Sequence, residues 1–65
     1  MPFIQISILE GRKIQQKHDL IRKLTDATAD VLGGDPERIR VTIIELSPDN
    51  WGIGGEPISK LRPKV

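Results

Sequence analysis

The spacing of apolar residues changes twice along this chain, and few folds accommodate the change. Residues 3–9 alternate, with Ile4, Ile6 and Ile8 on one face and Gln5 and Ser7 on the other, which predicts a strand. Glu10-Gly11-Arg12 ends the alternation. From about Ile14 to Leu32 the repeat is helical. Leu20, Ile21, Leu24, Ala27, Thr28, Val31 and Leu32 share a stripe, while Lys17, Arg22, Lys23, Asp26 and Asp30 mostly fall off it. Gly33-Gly34 provides a left-handed helix exit, and Asp35-Pro36 predicts a fresh cap with one short helical turn. Arg40–Leu46, rich in β-branched residues, predicts a second strand.

Strand, long helix, strand is a βαβ unit of the α/β (α+β) class. A crossover helix makes the strands parallel and the connection right-handed. One helix covers one face of the sheet; the other face and both edges stay open. Two strands are too few for independent stability. A chain of 65 residues is at most one domain, 1–65, and is short of core. There is no cysteine, and His18 is the only histidine, so disulfides and thiolate or histidine-rich metal sites cannot supply the deficit. Self-association remains, and at least a dimer is expected, with sheets joined edge to edge.

Several function classes fall away on composition. A net charge of +1 is too small a field for a nucleic-acid protein. Phe3 and Trp51 are the only aromatics, too few for a base-stacking platform. No apolar run approaches the roughly 18 residues of a membrane span. Met-Pro-Phe-Ile-Gln does not begin like a signal peptide, so a cytoplasmic protein is expected. Ser7 lacks a nucleophile-elbow context, and Gly52-x-Gly54-Gly55 opens no helix, so neither serine hydrolysis nor a phosphate loop is supported. Glu10, Glu45 and Glu56 are scattered, and His18 falls on the polar side of the helix.

Four residues could carry chemistry. Pro2 follows Met1 directly, and removal of Met1 exposes a secondary amine. An ordinary α-amino group titrates near about 8, and burial beside cations lowers that value. The neutral amine can then abstract a proton. Read by itself, Pro2 is equally a stiff, extended chain start. Arg12, after the first strand, and Arg40, opening the second, stay charged and grip carboxylates with paired hydrogen bonds. In parallel strands they stand at opposite ends, so neighbouring chains would be needed to unite them with Pro2; otherwise both are solvated surface residues. Trp51 could wall off and desolvate an amine or pack at a subunit interface.

The helix start is unusual. Lys13-Ile14 offers no Ser, Thr, Asp or Asn cap, and Arg12 and Lys13 sit at the positive end of the helix dipole. They are either solvated or part of an anion site with the first-turn amides. After the second strand, Ser47-Pro48-Asp49-Asn50 reads as a loop and Trp51–Gly55 as a tight hairpin or looped turn. Residues 56–65 form a polar, proline-containing tail with no readable period.

Taken jointly, Pro2 after Met1, Ile8-Leu9-Glu10-Gly11-Arg12, Arg40, and Trp51-Gly52-Ile53-Gly54-Gly55-Glu56 give a pattern that resembles the 4-oxalocrotonate tautomerase family over almost the whole chain. The resemblance implies that two βαβ protomers form a four-stranded sheet backed by two helices. It further implies a homohexamer, a trimer of dimers. Pro2 would be the general base, and Arg12 would hold the far carboxylate of a dicarboxylate substrate. Arg40 would bind the near carboxylate and the 2-oxygen, and Trp51 would replace the usual phenylalanine wall. The implied reaction converts 2-hydroxymuconate to 2-oxo-3-hexenedioate in aromatic hydrocarbon catabolism, without a cofactor. Two other readings stay open: a promiscuous tautomerase of enols such as phenylenolpyruvate, and a non-catalytic oligomeric binding module. The chain departs from the family at Lys13-Ile14, which replaces its usual helix cap, and at Trp51, whose bulk implies a narrower pocket. Gly52 and Ile53 stand where related dehalogenases carry an acid, which speaks against hydrolytic dehalogenation.

Overall fold

The structure, a computed structural model, describes residues 2–61. Met1, whose removal the proline chemistry requires, and the end of the tail at 62–65 lie outside the described residues. Strand β1 (Phe3–Leu9) leads into helix α1 (Ile14–Leu32), a 3-10 turn (Pro36–Arg38) and strand β2 (Arg40–Leu46). A second 3-10 turn (Pro48–Asn50) joins β2 to the short strands β3 (Gly52–Ile53) and β4 (Glu56–Pro57) and to helix α2 (Ile58–Leu61). β1 and β2 are parallel, in register from Phe3 opposite Arg40 to Leu9 opposite Leu46. β3 and β4 are antiparallel. The βαβ unit matches the sequence expectation. The tail, which shows no period, forms β4 and one helical turn.

Each local signal has its structural counterpart. Asp35 Oδ1 accepts from the Glu37 amide at 2.9 Å and starts the turn at Pro36. Gly33, at φ 76°, ends α1, and its amide donates to the Ala29 carbonyl at 2.8 Å. At the uncapped start of α1, Gln16 Oε1 accepts from the Lys13 amide at 3.1 Å. A lysine side chain has no acceptor, so the reciprocal arm of a capping box is missing.

Ile4, Ile6 and Ile8 line the helix side of the sheet beside Val41 and Ile43. From α1, Leu20, Ile21, Leu24 and Thr28 are half-buried. Contrary to the expected stripe, Ala27, Val31 and Leu32 are exposed, Val31 by 80%. Ala27 lies on the stripe's margin. For the other two, length explains the difference: a 19-residue helix runs about 28 Å and a seven-residue strand about 23 Å, so the last turn overhangs the sheet.

The opposite sheet face has no cover among the described residues. Phe3 there is 67% exposed and Ile44 is also exposed. Only Ile39 and Ile58 are buried apolar side chains among the described residues. A compact chain of this length has a radius of gyration of about 11 Å; here it is 14.9 Å. The shortest dimension, 14 Å, is one sheet with one helix laid on it. Among the described residues no helix is long and apolar enough to cross a membrane.

Candidate active site

Pro2 and Arg40 share one end of the sheet. The Arg40 amide donates to the Pro2 carbonyl at 3.1 Å, extending the β1–β2 ladder by one bond. Pro2 is half-buried and Arg40 exposed. The guanidinium is held: Arg40 Nη1 donates to the Glu37 carbonyl at 2.7 Å, so the 3-10 turn capped by Asp35 sets the arginine's direction. Because the register places Arg40 opposite Phe3, both belong to the uncovered face.

Arg12 stands beyond the other end, past the Leu9–Leu46 pair. Gly11, at φ 111°, turns the chain there, a conformation that suits glycine. Arg12 is exposed and makes no ion pair among the described residues. With Ile8, Gln16, Lys17 and Leu20 it lines an open recess of 330 Å³ at the start of α1. This recess lies on the helix side, the side that Ile8 faces, whereas Phe3 and Arg40 belong to the other. Lys17 in the recess pairs with Glu45 of β2 at 3.0 Å, which leaves Arg12 as its uncompensated cation among the described residues. His18 is exposed, as its place on the polar side of the helix predicted.

Trp51 follows β2 by five residues and is half-buried. Its carbonyl accepts from the Ile58 amide at 2.8 Å, and Ile58 is 1% exposed. Ser59 Oγ donates to Asp49 Oδ1 at 2.6 Å, and the Asp49 amide donates to Ser47 Oγ at 3.2 Å. Asp49 and Ser59 escaped the sequence reading because ten residues separate them and neither interrupts a period. The Lys17–Glu45 pair was also missed, although the strand register and helix phase together carry its signal.

The four candidate residues therefore fall into two pairs. Pro2 and Arg40 lie at one end of β1 and β2; Arg12 and Trp51 leave the sheet from the other. A seven-residue strand puts roughly 23 Å between these ends. A substrate of six carbons cannot bridge that span. One protomer brings together half of the candidate set at each end of its sheet. Among the described residues no cluster of three or more metal-ligating side chains forms.

Comparison with known proteins gives a consistent result. The family described as tautomerase enzyme matches residues 2–61. The chain is 48% identical over 62 residues to a 2-hydroxymuconate tautomerase of Pseudomonas sp. (strain CF600), covering 95% of this chain and 98% of that protein. It is 49% identical over 61 residues to a 2-hydroxymuconate tautomerase of Pseudomonas putida, covering 94% and 97%. The solved structure of a heterohexamer 4-oxalocrotonate tautomerase from Chloroflexus aurantiacus J-10-fl superposes with a TM-score of 0.88 at 35% identity, covering 95% of this chain and all of that one. A 4-oxalocrotonate tautomerase homologue in the tomaymycin biosynthetic pathway superposes with a TM-score of 0.91 at 35% identity, covering 97% of each chain.

Proposed function

This chain belongs to the tautomerase family, whose members are isomerases, and on that premise we propose that it converts 2-hydroxymuconate to 2-oxo-3-hexenedioate. The observation that carries the substrate assignment is the 48% identity, across 95% of the chain, to a relative named for this substrate. The base is the secondary amine of Pro2 after loss of Met1. It takes the proton of the 2-hydroxyl, the electron pair moves through the diene, and the proton returns to carbon 5. Carbon 2 becomes the ketone and the remaining double bond lies between carbons 3 and 4, so atoms and charge balance.

Arg40 binds the near carboxylate and the oxygen on which negative charge develops. Its bond to the Glu37 carbonyl, at 2.7 Å, supports this role by pre-orienting the fork. Arg12 holds the far carboxylate, and Trp51 closes the site against water. No redox change or group transfer occurs, so the side chains suffice. Aromatic hydrocarbon catabolism is the setting in which such a dienol arises.

The division of the four residues between two ends of the sheet requires that copies combine. The exposed Phe3–Ile44 face and the free sheet edges favour a homohexamer built from dimers with four-stranded sheets. A second substrate reading, other 2-hydroxy-enoates such as phenylenolpyruvate, stays open because Trp51 departs from the family at the proposed wall. An ultraviolet assay on protein whose mass shows Met1 removed decides between them. Rapid conversion of 2-hydroxymuconate, lost in Pro2→Ala, upholds the proposal; conversion of phenylenolpyruvate alone replaces it with the second reading.

A further inference from the structure

Trp51 sits at the root of an arm that has little else to hold it. The arm contains Gly52, Gly54 and Gly55, and β3 and β4 contribute two residues each. Gly54 and Gly55 have φ values of 61° and 90°. Such a segment loses much conformational freedom when it becomes ordered. Two contacts close it at its base. The Ile58 amide donates to the Trp51 carbonyl, with Ile58 fully buried beneath. Ser59 Oγ donates to the carboxylate of Asp49, two residues before the tryptophan, at 2.6 Å, the range of a bond to an ionised acceptor. Asp49 is itself held in its 3-10 turn through Ser47 Oγ.

We propose that the Asp49–Ser59 hydrogen bond fixes the orientation of Trp51, making Asp49 and Ser59 positioning residues for the wall of the active site. This assignment rests on the reading of Trp51 as that wall. The backbone bond to Ile58 continues the β3–β4 pairing and ties the Trp51 main chain to its own hairpin. The side-chain bond adds a second point on the preceding turn, and two points define a direction. Neither Asp49 nor Ser59 needs to touch the substrate.

Trp51 is the sole tryptophan, so its fluorescence reports its own surroundings. The experiment compares Ser59→Ala, Asp49→Ala, Ser59→Thr and the parent protein with Met1 removed. Acrylamide quenching of Trp51, and KM and kcat for 2-hydroxymuconate, are measured at constant oligomeric state. Ser59→Ala and Asp49→Ala are expected to increase quenching and to raise KM about fivefold, with a smaller change in kcat. Ser59→Thr, which keeps the hydroxyl, is expected to restore both. Unchanged quenching in the two alanine variants overturns the proposal, as does a threonine variant that behaves like alanine. Trp51→Ala separates the premise from the proposal. If it keeps full activity, the wall reading has failed, while the quenching comparison still judges the positioning.

Discussion

The amide of Arg40 donates to the carbonyl of Pro2 at 3.1 Å, so the proposed oxyanion-binding residue and the proposed base are adjacent through the main chain. The same register sends Arg12 away from both. Two of the four candidates belong to each end of the sheet, and the proposed reaction uses all of them.

Pro2→Ala should lower kcat/KM for 2-hydroxymuconate by about 10²–10⁴-fold, the usual contribution of a positioned base. Sedimentation should show the assembly unchanged. Protein that retains Met1 should be equally inactive, because its Pro2 nitrogen is an amide. Mass spectrometry together with the ultraviolet assay checks both statements.

Arg12→Ala and Arg40→Ala should differ in kind. Losing a charged hydrogen bond to the far carboxylate should raise KM for 2-hydroxymuconate by about 10- to 100-fold while leaving phenylenolpyruvate, which lacks that group, almost unaffected. Arg40→Ala should depress kcat for both compounds. Equal losses from Arg12→Ala on the two substrates would remove the assigned role.

The open sheet face should be an interface. Ile44→Asp places a charge where Ile44 and Phe3 now expose apolar surface. Analytical ultracentrifugation should show smaller species, and their specific activity should fall with them. A fully active monomer would contradict the need for a second copy.

Lys17→Met tests the one ion pair that ties α1 to β2, at 3.0 Å. Methionine keeps the apolar stem but leaves Glu45 alone. Both groups retain solvent access, so the loss should be small, about 0.2–1 kcal/mol, and should shrink in high salt. Thermal unfolding at low and high ionic strength measures it.

The legibility of this chain varied with the reach of each interaction. Phe3–Leu9, Ile14–Leu32 and Arg40–Leu46 could be read to their ends because periodicity, Gly33 and Asp35-Pro36 act within a few residues of themselves. The four-residue helix at Ile58 barely exceeds one helical turn, too short for a repeat to show. The exposure of Val31 and Leu32 depends on comparing helix length with strand length, which no single segment contains. Gln16 stands where a capping box carries its Gln or Glu, but Lys13 hides the motif because it lacks the acceptor that normally announces it. The positions of Pro2, Arg12 and Arg40 were readable because strand order determines them. The bond between Asp49 and Ser59 was not, since it joins a 3-10 turn to helix α2, whose approach depends on the hairpin between them.

The division of the four residues between opposite ends has a genetic consequence. A chain lacking its Pro2 amine still carries an intact Arg12 end, and a chain lacking Arg12 still carries an intact Pro2 end. If the two ends act across a contact between copies, mixing these inactive chains under conditions that exchange subunits should create some wholly intact centres. Two defective alleles would then complement each other in one cell, and a single defective allele would not silence every assembly it enters.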